Sequence, residues 1–264
     1  FKPDGVITTG GFVAGPVAIA GLLSRIPCFL HESNSFPGLT TRYLAPYHRR
    51  VFISFDQTKQ YLKGARLTNH GIPLMQNADK SEINLGDLGL ELGRKTLLIT
   101  GGSQGSLALN KVISLALPRL LELGWQVIWQ TGKTSYQQFS RLHDTTRGLF
   151  MFDFHPQLRQ MMNSATLAIT RAGAMTIAEL EAAHLPAILI PLPSAAENHQ
   201  YYNARAQEDK GLARLLKQSD LNPDTLVEMI QKLDLTAMQT SLKALPPNGA
   251  TQMIINDILQ TYKE

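Results

Sequence analysis

Thr170-Arg171-Ala172-Gly173-Ala174-Met175-Thr176-Ile177-Ala178-Glu179 joins a cation, a run of small residues and a carboxylate in one short stretch. Small residues between a strand and a helix leave backbone N–H groups unpaired at the positive end of the helix dipole, which attracts phosphate. Arg171 can pair with a diphosphate. Glu179 can accept two hydrogen bonds from the vicinal hydroxyls of a ribose, or be a solvated helix carboxylate. Two glycine-rich turns repeat the context: Gly10-Gly11-Phe12-Val13-Ala14-Gly15-Pro16 after Gly5–Thr9, and Gly101-Gly102-Ser103-Gln104-Gly105 after Thr96–Thr100. Placed roughly ninety residues apart, they suggest two Rossmann-like halves facing a nucleotide. In Pro193–Ala204, the neutral groups of His199, Gln200 and Asn203 suit the reading of sugar hydroxyls, or simply cap a helix. His31 and Glu32, with Asn34 close behind, stand just past a strand end, where a His–Glu pair serves acid–base work or caps the next segment. The chain has no Asp-X-Asp, so a metal–diphosphate site is unsupported, and helix N-termini with Arg171 must stabilise any departing phosphate.

Short apolar runs, mostly without alternation, predict parallel strands near 5–9, 27–31, 50–53, 96–100, 126–130, 166–170 and 187–191, with a weaker one near 213–216. Helical patterns fall near 15–24, 38–45, 56–62, 106–122, 134–143, 156–163, 173–184 and 198–209, and three more, near 222–232, 236–244 and 248–262, close the chain. The alternation is that of doubly wound α/β folding with parallel sheets. A polar stretch, 76–94, is read as a linker between two such portions. With 264 residues and 44% hydrophobic content the chain can bury a sizeable core, and the one cysteine, Cys28, excludes an internal disulfide and fits a reducing cytoplasm. The seven histidines have no structural zinc spacing, and no apolar run reaches the ~18 residues of a membrane span. A net charge of +4 mildly favours an anionic partner such as a nucleotide, a phospholipid or an anionic membrane surface. Without aromatic–basic interleaving, nucleic acid is not expected.

In order along the chain, Gly10–Pro16, His31-Glu32-Ser33-Asn34, Pro37-Gly38-Leu39-Thr40, Phe55-Asp56-Gln57-Thr58, Gly101–Gly105 through Asn110, Arg171–Glu179, Pro186, Pro191, His199-Gln200 and Asn203-Ala204 resemble the MurG family of N-acetylglucosaminyltransferases. The resemblance implies a GT-B architecture of two Rossmann-like doubly wound parallel-sheet domains, the first incomplete. Residues 1–78 would belong to the acceptor-side domain and 79–94 to the linker. Residues 95–245 would form the UDP-sugar domain and 246–264 a helix returning to the first. It implies that Gly102, Ser103 and Gln104 contact the diphosphate and that Asn110 belongs to the same site. His155 would meet the uracil, Ala174, Met175, Thr176, Ile177 and Ala178 would line the phosphates beside Arg171, Glu179 would hold the ribose and Gln200 would read the sugar. Asn34 would line the acceptor-side wall, while the general base stays unassigned, with His31 and Glu32 as candidates.

The implied reaction is inverting transfer of N-acetylglucosamine from UDP-GlcNAc to the C4 hydroxyl of the muramoyl sugar of lipid I, giving lipid II and UDP without a cofactor. Implied partners are UDP-GlcNAc, undecaprenyl-linked lipid I, an anionic membrane surface at the cytoplasmic face of the inner membrane and other cell-wall synthesis proteins. Arg42, Arg49 and Arg50 are candidates for the headgroups. Three features depart from the family: the chain opens at Phe1 without the N-terminal glycine-rich histidine loop, Met75 replaces a donor-binding arginine, and Thr41 replaces an asparagine. The expectation is a chain lacking its N-terminal segment. Two alternatives stay open: a UDP-sugar-binding module without its own catalysis, and a GT-B transferase with another glycolipid acceptor.

Overall fold

The computed structural model describes residues 3–74 and 81–262; Met75 and the first residues of the expected linker lie outside them. The chain divides into two compact units, Phe1–Asn77 with Ser194–Ala206 and Pro247–Glu264, and Ala78–Pro193 with Gln207–Pro246.

The first unit is built on a four-stranded sheet of β1 (Val6–Thr8), β2 (Cys28–Glu32), β3 (Arg50–Ile53) and β4 (Leu67–Asn69), in that spatial order and parallel throughout. Helices α1 (Ala14–Leu23) and α2 (Leu39–Leu44) lie between the strands. All five residues of β2 are buried, as a strand covered on both faces requires. Leu30, Val51 and Ile53 form the core with Ala45 and Leu62. The stretch expected as a helix near 56–62 is a 3₁₀ helix, Asp56–Tyr61.

The second unit holds six parallel strands: β5 (Thr96–Thr100), β6 (Gln126–Gln130), β7 (Leu149–Phe152), β8 (Leu167–Thr170), β9 (Ala187–Leu189) and β10 (Ala213–Leu215). Their spatial order is β10-β9-β8-β5-β6-β7. The chain therefore builds outward from β5 through β6 to β7, then restarts on the other side of β5 with β8. Loops diverge at the carboxyl ends of β5 and β8, the switch point where open α/β sheets bind ligands. Helices α3 (Leu107–Glu122), α4 (Tyr136–Thr145), α5 (Leu158–Ser164) and α6 (Ala174–Ala182) connect the strands. Helix α7 (His199–Asp209) follows, its residues through Ala206 belonging to the first unit. Helices α8 (Pro223–Lys232) and α9 (Leu235–Lys243) complete the second unit, with α8 supplying Leu226, Val227 and Ile230 to the core around Leu97, Ile99 and Trp129.

The last helix, α10 (Ala250–Thr261), belongs to the first unit. Asn248 donates to the Ile72 carbonyl (3.0 Å), Thr251 to that of Leu74 (3.1 Å), and His70 meets Asp257 at 2.9 Å. The segment 81–94 packs as part of the second unit through buried Leu85 and Leu90 and a Glu91 N–H bond to Gln126 (2.9 Å).

Candidate active site

In the second unit the turn after β5 folds back on itself. The Gly102 N–H donates to the Thr100 hydroxyl (3.1 Å) and the Gly105 N–H to the Gly102 carbonyl (2.9 Å). Ser103 and Gln104 are left exposed at the tip, and their N–H groups have no partner among the described residues. Ser106 caps α3, its hydroxyl accepting from the Leu109 N–H at 3.3 Å. Across the switch point, α6 starts at Gly173 with no side-chain cap, so its first-turn N–H groups also face outward. Ala174, Met175 and Thr176 reach the surface there, whereas the side chains of Ile177 and Ala178 are buried in the core.

Arg171 does not reach outward as the sequence suggested. Its side chain is buried, and Nη1 donates to the Ile190 and Pro191 carbonyls at 3.1 and 3.3 Å. Nη2 donates to the Ser106 hydroxyl and to Gln218 Oε1, both at 2.6 Å. Burial pulls the guanidinium below its ordinary pKa, although arginine stays charged at neutral pH. Arg171 is thus a charged brace that ties the α3 cap to the end of β9. Ser106 announces itself as a helix cap in sequence; nothing local marks Gln218.

Asn110, expected at the ligand, is fully buried: Nδ2 donates to the Thr131 carbonyl (2.8 Å), and Oδ1 accepts from the Trp129 indole (3.1 Å). Glu179 is half-buried on α6, with Arg159 Nε 3.9 Å from Oε1. Burial raises its carboxyl pKa, and the Arg159 charge opposes that rise. His155 follows β7, packs against the Phe152 ring at 5.4 Å and accepts the Gln157 N–H at 3.2 Å, beside an exposed Phe154.

In the first unit His31 and Glu32 are consecutive in β2, so their side chains leave opposite faces of the sheet and form no dyad. His31 Nε2–H donates to the Gly71 carbonyl (3.0 Å), leaving Nδ1 to accept from the Ser33 hydroxyl (3.2 Å). Desolvation holds this imidazole below its ordinary pKa. The buried Glu32 carboxylate accepts from Thr41 Oγ1 (2.8 Å), the Asn34 N–H (3.0 Å) and Asn34 Nδ2 (3.3 Å). Asn34 Oδ1 in turn accepts from Asn203 Nδ2 (3.1 Å), and Asn203 Oδ1 accepts the Ser35 N–H (2.8 Å). Thr41, the departure from the family pattern, therefore serves as a donor to a buried carboxylate. Gln200 lies on α7 in this same unit, apart from the second-unit group Gly102–Glu179 in the division of the chain. Of the basic candidates, Arg42 pairs with Glu197, Arg49 donates to the Thr261 carbonyl (2.8 Å) and Arg50 opens β3.

Two parallel-sheet α/β units, one with small-residue loops on both sides of its switch point, match the fold of GT-B glycosyltransferases. The glycosyltransferase family 28 C-terminal domain matches residues 96–257 and the family 28 N-terminal domain residues 1–53. A UDP-N-acetylglucosamine--N-acetylmuramyl-(pentapeptide) pyrophosphoryl-undecaprenol N-acetylglucosamine transferase of Bacillus licheniformis is 35% identical over 97% of this chain and 73% of its own length. The Halothermothrix orenii protein of the same name is 37% identical over 100% of this chain and 76% of its own. The crystal structure of Acinetobacter baumannii MurG superposes with a TM-score of 0.78 at 27% identity, covering 97% of this chain and 74% of that one. A kitacinnamycin glycotransferase, at 16% identity and a TM-score of 0.71, shares the fold. The chain belongs to glycosyltransferase family 28 and, within it, to the MurG family.

Proposed function

We propose that this chain transfers N-acetylglucosamine from UDP-GlcNAc to the C4 hydroxyl of the muramoyl sugar of lipid I, releasing UDP. The observation that carries the donor half is the switch point of the second unit. There the open Ser103 and Gln104 amides and the uncapped start of α6 present N–H donors, with the Arg171 charge fixed behind them. Such donors are aimed before the reaction begins and stabilise the charge that grows on a departing diphosphate. Glu179, on the second turn of α6, accepts the ribose hydroxyls. His155 and its aromatic neighbours face the uracil. Gln200 reads the sugar, and Asn34, held by Glu32 and Asn203, belongs to the acceptor wall.

The lipid-linked acceptor puts the enzyme in peripheral contact with the cytoplasmic face of the inner membrane, where it works beside other cell-wall synthesis proteins. Among the described residues no helix is long and apolar enough to cross a membrane.

The test is UDP release by the full-length gene product given UDP-GlcNAc with and without a lipid I analogue. Release that depends on the acceptor is expected. UDP-GlcNAc binding without acceptor-dependent release overturns the transferase reading in favour of a binding module, and release with UDP-glucose or UDP-galactose at equal rate overturns the donor assignment.

A further inference from the structure

With both terminal nitrogens of Arg171 engaged inside the unit, a cation free to move onto the diphosphate of the proposed donor has to come from another loop. Three lysine or arginine residues stand on the carboxyl-end loops of the second-unit strands among the described residues: Lys133 after β6, Arg171 after β8 and Lys217 after β10. Strand β10 is the sheet edge, whereas β6 pairs directly with β5, the strand that carries the glycine-rich turn.

The loops after β5 and β6 touch backbone to backbone. A Cβ on Gly132 would lie 2.5 Å from the Gly105 Cα and 2.6 Å from the Gln104 carbonyl oxygen; one on Gly105 would lie 2.1 Å from the Thr131 carbonyl oxygen. Both glycines also have positive φ, +75° at Gly105 and +83° at Gly132, so neither position accepts a side chain. One residue beyond Lys133, the Thr134 hydroxyl donates to the Gln104 carbonyl at 3.4 Å. Lys133 is therefore bracketed by two residues that both meet Gln104. Its ammonium is exposed, with no hydrogen bond or ion pair among the described residues.

We infer that Lys133 is a ligand of the donor diphosphate, closing over an anion seated on the Ser103 and Gln104 amides. Lysine suits this task because its ammonium is a compact point charge on a flexible stem, able to move onto a phosphate that arrives and off one that leaves. The buried brace and the exposed lysine then divide the work: Arg171 sets the shape of the anion loops, and Lys133 makes the contact. The inference rests on the donor-site reading above.

The experiment is calorimetric titration of the wild type, K133Q and K217Q with UDP, UMP and uridine, with thermal melts of each to check folding. K133Q is expected to weaken UDP about tenfold, the scale of one charge-assisted hydrogen bond, and to leave uridine unchanged. Its UDP affinity should also fall less steeply with added salt, since an exposed charge is screened. K217Q, which removes one charge from the same end of the sheet, should lose far less. Unchanged UDP affinity in K133Q, an equal loss for uridine, or an equal loss in K217Q would each overturn the assignment. If the wild type binds neither UDP nor uridine, the donor-site reading itself fails and the Lys133 role goes with it.

Discussion

The carboxyl ends of β2 and β5 solve the same problem in opposite ways. After β5, side chains withdraw: Thr100 holds the turn, Ser106 caps α3, Asn110 turns inward as Arg171 does after β8, and bare amides are left at the tip. After β2, side chains close on one another: Glu32, Thr41, Asn34 and Asn203 satisfy each other in an unbroken series of hydrogen bonds. The first arrangement leaves backbone donors open, which suits a ligand that brings negative charge. The second presents a wall whose polar groups are already paired, so its value lies in shape. A polar loop past a strand end does not by itself distinguish the two; the direction of the surrounding side chains does.

The largest effect should come from removing the brace in the second unit. Arg171→Ala strips four acceptors of a charged donor and should cost about 3 kcal/mol of stability or more, with weaker UDP binding. Arg171→Lys should recover only part of both, because an ammonium cannot span the planar fork. Thermal melts and UDP titration read the two quantities, and an undisturbed R171A would refute the brace. Next comes Thr41→Val, which keeps the shape but leaves buried Glu32 Oε2 short of a donor, a loss of about 1–3 kcal/mol. Its UDP affinity should be unchanged while acceptor-dependent turnover falls; a parallel loss of UDP affinity would contradict the separation drawn between the two strand ends.

Glu179→Gln should weaken UDP and uridine alike by about tenfold, in contrast to K133Q, the result that the proposed contact with the ribose requires. The raised pKa of Glu179 sets the direction with pH: the carboxylate, the better acceptor, is lost on acidification above the ordinary glutamate range. Wild-type affinity should therefore fall on acidification earlier than for an ordinary carboxylate, and E179Q should lack that step. The smallest effect is on stability in mild acid. His31 and His48 are both held below the ordinary histidine pKa by burial. The unfolded chain takes up protons below that ordinary value while the fold resists, so their contribution is complete above it and declines as pH falls through the depressed values. Each full unit of depression is worth about 1.4 kcal/mol. Melting temperatures at neutral and mildly acidic pH check this, and an identical pair would count against it.

Much of the fold was legible because buried parallel strands declare themselves as unbroken apolar runs, and β5, β6, β8 and β9 do so. Strand β4 was missed: Leu67-Thr68-Asn69 is short, partly exposed and only one-third apolar, too little for a pattern. Strand β7 is not among the expected strands, although Leu149-Phe150-Met151-Phe152 is wholly apolar and follows Gly148, a signal the sequence does carry. At the site, the loops were legible and the side-chain directions were not. Arg171 and Asn110 have the types that bind ligands, and only their partners, Gln218 and Trp129 among them, reveal that they hold the scaffold. Lys133 escaped for the converse reason: its place beside Gln104 comes from contact between loops distant in sequence.

The division of the chain also orders its synthesis. The unit that begins at the N-terminal side draws on three separated segments, the last of them carrying α10, whereas the second unit has all its parts by Pro246. Domains fold as units while the chain emerges from the ribosome. The second unit can therefore be complete before the first has all its segments: until the Pro247–Glu264 segment emerges, the Ile72 and Leu74 carbonyls lack the Asn248 and Thr251 side chains that meet them in the fold.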